Sequence, residues 1–171
     1  MQRGQGTRFI VGDPIMHLHQ REDKMEKMAA GDVELKQVLR WDCANIADLY
    51  RAGGWWHEEW DDTATQPLIS GSFAFVVAVE TSTGRAVGMG RAIADGVSDA
   101  YLQDVVVLPA YRKQGIGRRI VAKLIRHCTA AGISWVGVIA EPGSAGLYAA
   151  LGFMPLTGHL PMLYQPGSPH A

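Results

Sequence analysis

Apolar and polar positions change period several times along the chain, and each change marks an element. "DVELKQVLRW" alternates in part and predicts a first strand. "CANIADLYRAGG" places Ile46, Leu49 and Tyr50 at helical spacing and stops at Gly53-Gly54. "WWHEEWDDTATQPLI" is aromatic and acidic, with room for a second short helix. "SFAFVVAVE", the turn "TSTG" and "RAVGMGRAIAD" predict two paired strands, and "AYLQDVVVL" a fourth. From Gly115 to Ala131 the pattern is helical: Ile116, Ile120 and Leu124 recur every four residues, Val121, Ile125 and Cys128 fill the same face, and Gly132 stops it. "SWVGVIA" is a fifth strand, and "GSAGLYAALG" a short helix starting at Gly143 or Ser144. "FMPLTGHLPMLY" predicts two last strands around a Gly-His turn. The sum is one mixed α/β layer structure, of α+β type, over residues 32–171. Residues 1–31 have weak helical character and read as a flexible N-terminal extension.

Composition narrows the class. A chain of 171 residues, 47% hydrophobic and 19% charged, builds one well-filled core. No apolar run approaches a membrane span, so no membrane partner is expected. The first residues lack the apolar centre of a secretory signal. Cys43 and Cys128 lie far apart, which predicts two reduced thiols and a cytoplasmic protein. Two cysteines do not make a structural zinc site, His57-Glu58-Glu59 is not the two-histidine zinc motif, and His17 and His19 stand as a lone pair. No metal is expected.

The net charge of -1 hides an asymmetry. Sixteen of the 17 acidic residues precede position 112, and only Glu141 follows it. Arg112, Lys113, Arg118, Arg119, Lys123 and Arg126 fall in one stretch with no acid among them. A solvated helix face explains such a run, and so does a small, highly charged anion. Nucleic acid does not fit, because the chain as a whole is not basic. Two glycines, Gly115 and Gly117, open the helix inside this cluster. The first turn of a helix exposes unpaired N–H groups at a positive dipole end, and glycine removes the Cβ that would keep a phosphate away. The ATPase-type phosphate loop is absent, and the dinucleotide fingerprint fails at Ile120, where it needs a third glycine.

A third pattern fits. Arg112-Lys113-Gln114-Gly115-Ile116-Gly117 matches [RQ]-x-x-G-x-[GA] after a strand ending Val107-Leu108-Pro109, and "GLYAALGF" (146–153) matches a second segment, -LYxxxGF. The stretch from about Asp32 to Tyr164 thus closely resembles the GNAT superfamily of N-acetyltransferases. The resemblance implies a mixed, mostly antiparallel sheet flanked by helices, with splayed fourth and fifth strands. It implies acetyl-CoA as cosubstrate. The main chain of Val105 and Val107 would pair with the pantetheine, as an added strand does. Arg112, Lys113, Gln114, Gly115, Ile116, Gly117 and Arg118 would hold the pyrophosphate, and a backbone N–H of Val106 or Val107 would stabilise the oxyanion. Tyr148, the tyrosine of the second motif, would protonate the leaving sulfur. Members often dimerise, so a homodimer is an open expectation, with no interface legible in the sequence.

Transfer of an acetyl group to a primary amine also needs a route for the amine's proton. Asp104 on the fourth strand and Glu141 past the fifth are the carboxylates in reach. "YLQDVVVLP" resembles the strand of amino-sugar phosphate acetyltransferases, but Gln103 replaces their Glu and Ile139 stands where they carry a carboxylate, which puts that substrate in doubt. The expected acceptor is a small-molecule amine, with a simple amine, an amino sugar, an antibiotic and a protein N-terminus all left open; Trp55, Trp56, Trp60 and Glu59 stand out among His57, Glu58, Asp61 and Asp62. Aromatic faces beside carboxylates suit a cation. Tryptophans packed on the sheet with solvated acids would look the same. The reading is direct attack in a ternary complex; the alternative is a non-enzymatic acyl-CoA-binding regulatory module on the same fold.

Overall fold

A computed structural model describes residues 33–166. The expected extension, with His17 and His19, lies outside them. Five strands form one sheet in the order β1-β2-β3-β4-β5: β1 (Val33–Gln37), β2 (Ala74–Glu80), β3 (Ala86–Ala94), β4 (Asp99–Val107) and β5 (Trp135–Val138). Consecutive strands pair antiparallel up to β4, and β4 pairs parallel with β5. A parallel return needs a crossover, and α3 (Ile116–Ala130) supplies it.

The sheet sorts its residues onto two faces, and the alternation is interrupted once in β3, where Val87 is the extra residue opposite the Ala78–Val79 step. Val76, Ala78, Val87, Ala92, Ala100 and Leu102 face α3, whose Ile116, Ile120, Val121, Leu124 and Cys128 are essentially inaccessible to water. Each such large apolar side chain contributes about 1.5–3 kcal/mol. Phe75, Val77, Val79 and Met89 face the other way, against α1 (Cys43–Gly53) and the short α2 (Thr65–Ser70). Gly90 lets α3 come close: a Cβ there would lie 2.8 Å from Ile120 Cγ2. Helix α1 starts where Asp42 accepts from the Asn45 N–H at 2.7 Å, and ends at Gly54, in the left-handed region.

Two irregularities open the sheet. Met89 faces Val106, yet Arg91 faces Gln103, so β4 carries one residue more than β3 across this step. This is a β-bulge, and Asp104 sits in it with φ 55°. Pairing of β4 with β5 covers only Asp99–Leu102 against Trp135–Val138. Beyond Leu102, β4 runs on to Val107 with no strand on that side, which is the expected splay.

The predicted last two strands do not form. Residues 153–164 contain no strand, and a turn closes with His159 N–H on the Leu156 carbonyl at 3.2 Å. Gly158 has φ 81° in that turn, the geometry of a type II turn, which splays flanking strands where a hairpin turn would align them. Pro155 and Pro161 remove two ladder donors. The first strand is also shorter than predicted, ending at Gln37.

Candidate active site

The C-terminal end of β4, the start of α3 and the short helix α4 (Ala145–Ala149) converge where the sheet opens. Leaving β4, the chain makes a 3₁₀ turn at Pro109–Tyr111 and then takes left-handed conformations at Lys113 and Gly115. Gly115, with φ 77°, caps α3 without any side chain bonding the first-turn N–H groups. A Cβ on Gly117 would meet only Val107 Cγ2 at 3.8 Å and Leu147 Cδ1 at 4.0 Å. Protein packing therefore does not require a glycine there; a Cβ would only fill the space above the helix end.

The positive charges divide between two jobs. Arg119 Nη2 donates to the Val33 carbonyl at 3.1 Å and Lys123 Nζ to the Leu35 carbonyl at 3.0 Å, so both cover the outer edge of β1. Arg112 Nε donates to the Val107 carbonyl at 2.9 Å, and Arg118 Nη2 to Ala150 at 3.3 Å. Gln114 bonds back to Ala110, and Lys113 is exposed. Arg118 Nε is buried without a partner.

The direction of the β4 backbone follows from one bond. Leu108 N–H donates to Val87, so Gly88 and Val107 form a non-hydrogen-bonded pair. The N–H and C=O of Val107 then point away from β3, into the splay, and the Arg112 bond reaches that carbonyl from the open side. Alternation sends the groups of Val106 toward β3. Past the bulge, Val105 is half-buried.

Tyr148 is buried on α4 and packs edge-to-face on Phe153 at 5.6 Å. Burial, and then the negative charge of Glu141, push its phenol above the ordinary value. Glu141 is itself exposed, and its carbonyl accepts from the Ser144 N–H and hydroxyl.

Asp104 lies in a network that sequence reasoning missed. Its Oδ2 accepts from Tyr50 Oη at 2.7 Å and from Arg91 Nε at 2.5 Å, while Arg91 Nη2 donates to Gln103 at 3.1 Å. Burial, then the bond to Asp104, push the Tyr50 phenol far up. Tyr50 counted as the apolar face of a helix, which hid its hydroxyl. Arg91 left one legible signal, a lone cation in an apolar strand.

The tryptophan loop is largely occupied with itself. Trp55 packs edge-on against Tyr50 at 6.3 Å. Trp56 lies under the Arg51 guanidinium at 4.9 Å and against Trp60 at 5.6 Å, and Trp60 meets His57 at 4.5 Å. Asp61 caps the turn at Thr63, and Asp62 pairs with Arg51 at 2.9 Å. Glu58 and Glu59 are exposed. Trp55 connects to Asp104 through Tyr50. Among the described residues, no three His, Cys, Asp or Glu side chains are grouped to hold a metal ion, and no helix is long and apolar enough to cross a membrane.

Residues 37–153 match the model of the acetyltransferase (GNAT) family. Serotonin N-acetyltransferase 2, chloroplastic, of Oryza sativa subsp. japonica is 40% identical over 73 residues, 43% of this chain and 36% of that protein. GCN5-related N-acetyltransferase 1, chloroplastic, of Arabidopsis thaliana is 38% identical over 72 residues, 42% of this chain and 36% of that protein. The match thus spans about a third of the length of these relatives. A GNAT-family acetyltransferase of Streptococcus pneumoniae has the same fold, with a TM-score of 0.65 and 24% identity over 80% of this chain and 99% of that one. The expected cytoplasmic location does not stand: these plant relatives are chloroplast proteins, and unpaired cysteines fit any reducing compartment. The family model covers well over half the chain and the sheet carries the splay the family uses, so this chain belongs to the GNAT family of acetyltransferases.

Proposed function

We propose that the chain transfers an acetyl group from acetyl-CoA to a primary amine by direct attack in a ternary complex. One observation carries this reading. The outward main chain of Val107 and the uncapped N-terminus of α3 at Gly115–Gly117 open onto the same space. One supports strand-like pairing with an amide-bearing arm, the other a pyrophosphate. Acetyl-CoA supplies the acyl group as a thioester. Arg112, Lys113 and Arg118 add charge beside the first-turn N–H groups of Ile116, Gly117 and Arg118. Arg112 releases the Val107 carbonyl when it turns to a phosphate. Of the two valines weighed as oxyanion donors, Val107 is favoured by its direction. Val105, past the bulge, completes the strand edge.

As the C–N bond forms and the C–S bond breaks, Tyr148 gives its proton to the departing sulfur. The amine's proton leaves to Glu141 or through water to solvent, and the phenolate is reprotonated from solvent. Burial and the charge of Glu141 keep the phenol's proton in place until it is needed. Asp104 already accepts from Arg91 and Tyr50, which suits orienting the amine better than removing its proton. Trp55 and Tyr50 place aromatic edges beside this carboxylate, and Trp56, Trp60 and Glu59 form the outer wall. An arylalkylamine acceptor fits that side, and the rice relative is named for one.

The test is release of CoA from acetyl-CoA with three amine pools: arylalkylamines, polyamines, and lysine-bearing or free-N-terminal peptides. Turnover with the first pool supports the full reading, and turnover with another keeps the reaction but moves the acceptor. If CoA raises the melting temperature while no amine is acetylated, the chain is an acyl-CoA-binding module.

A further inference from the structure

Asp104 and Arg91 form a charge pair on the acceptor side of the sheet. Arg91 stands opposite Phe75 and Gln103 in the register, so it shares the face of β3 that packs α1. It is the one charged residue of β3, whose other members are Ala, Val, Gly, Met and Ile. The two side chains are 15% and 21% exposed, so neither is sealed from water. Stability does not explain the pair, because apolar residues of similar volume in place of such an ion pair are commonly neutral or stabilising.

The groups that the pair leaves unused are more telling. Both bonds to the carboxylate, from Tyr50 and from Arg91, land on Oδ2. Arg91 gives Nε to Asp104 and Nη2 to Gln103. Among the described residues Asp104 Oδ1 and Arg91 Nη1 have no partner, and neither is one of the buried orphan atoms. One free acceptor and one free donor therefore remain on two side chains in direct contact.

A lone ammonium gains little at such a pair. Its attraction to Asp104 is offset by repulsion from Arg91 at nearly the same distance. A zwitterion is different: its ammonium meets Asp104 Oδ1, its carboxylate meets Arg91 Nη1, and the two gains add. A guanidinium is the cation best shaped for a carboxylate. Because Asp104 and Arg91 touch, the ligand's two charges must also be neighbours, as those of an α-amino acid are. Tyr50 is held by Asp104, and Trp55 packs edge-on against Tyr50 at 6.3 Å, so aromatic surface lies beside the pair.

We infer that Arg91 determines acceptor specificity, and that the acceptor is an aromatic α-amino acid whose carboxylate Arg91 binds while Asp104 holds its amine. This rests on the acetyl-transfer reading and deepens it, by narrowing the arylalkylamines to those with a carboxylate on the carbon that bears the amine. The amide bond forms on the α-nitrogen as the C–S bond breaks. The ammonium gives up two protons in all: one balances the proton gained by the CoA thiol, and the other goes to water.

Tryptophan and tryptamine test this, since they differ only in the carboxylate. With acetyl-CoA and the full chain, kcat/KM should be about tenfold or more higher for tryptophan, as one charge-assisted hydrogen bond supplies. Tryptophan methyl ester should behave as tryptamine does. Arg91→Met should lower kcat/KM about tenfold for tryptophan and raise it for tryptamine, because Asp104 then attracts an ammonium unopposed. A residue that only supports the fold would lower both together. Calorimetric titration of the CoA-bound chain repeats the comparison as Kd, without turnover. If no amine is acetylated yet tryptophan binds more tightly than tryptamine, the acetyl-transfer reading fails and the assignment of Arg91 to a carboxylate stands. Equal or better use of tryptamine by the native chain overturns the inference. So do equal losses for both acceptors in Arg91→Met, or failure to bind either.

Discussion

The β4–α3 loop and the tryptophan loop both read in the sequence as clusters built around a ligand, one basic and the other acidic and aromatic. The structure separates them by what their polar groups already bond. In the tryptophan loop Asp61 and Asp62 are bonded to Thr63 and Arg51, and the rings of Trp56 and Trp60 pack on Arg51 and on each other, with Trp56 Nε1 left buried and without a hydrogen-bond partner. At the start of α3 no side chain caps the helix, and Gly117 leaves space that packing does not need. The same division runs within α3. Arg119 and Lys123 serve the edge of β1, while Lys113, a few residues earlier, is exposed. A run of charge is thus a count of donors, and what matters for function is how many remain after the backbone has been satisfied.

The largest expected effect lies where the two sides meet. Tyr148→Phe should leave folding and acetyl-CoA binding unchanged and lower kcat about 10²-fold, with kcat/KM falling equally. Steady-state kinetics check this, and a thioester with a more acidic thiol should lose less rate. The pH profile adds to it. A phenol raised above its ordinary value of about 10 stays protonated through neutral pH, so Tyr148 should impose no alkaline fall in kcat below that value. The same shift makes the native state hold its proton longer than the unfolded chain. Its contribution to stability is therefore complete below pH ~10 and is lost as pH rises through the folded-state value.

Gly117→Val should raise the Kd for acetyl-CoA roughly tenfold, about 1.4 kcal/mol, at an unchanged melting temperature. Calorimetric titration reads it, and an unchanged Kd would move the phosphate elsewhere. Binding should also weaken with salt, because three exposed or half-buried cations face the proposed pyrophosphate. Lys123→Met is the counterpart within the same helix. It removes a donor from the Leu35 carbonyl, so stability should fall by about 1 kcal/mol in denaturant titration while the Kd for acetyl-CoA holds. The smallest effect belongs to the tryptophan loop. Asp62→Asn should shift the melting temperature slightly and leave acceptor KM alone. A large rise in that KM would show the acids of this loop in contact with substrate.

Much of this was legible without coordinates. The period-2 and 3.6 patterns located all five strands and the helices 43–53 and 116–130, because burying one face of each element dictates the pattern. The glycine spacing after Pro109 located the start of the helix at 116, since helix ends and left-handed residues are local chemistry. The failures were of another kind. "FMPLTGHLPMLY" has the composition of a hairpin, but the left-handed residue falls at Gly158, where it makes the wrong turn for paired strands. The Tyr50–Asp104–Arg91 network joins α1, β4 and β3, residues 54 and 13 positions apart, and no local pattern brings them together.

What the sequence by itself determined is therefore whatever depends on neighbours along the chain: periodicity, caps, and a helix start opened by glycines. Tertiary structure alone decided which cations stay available, which valine turns its N–H into the splay, and which carboxylate is held by partners. Those depend on strand register and on bonds between distant elements, where a shift of one residue turns every group to the other side.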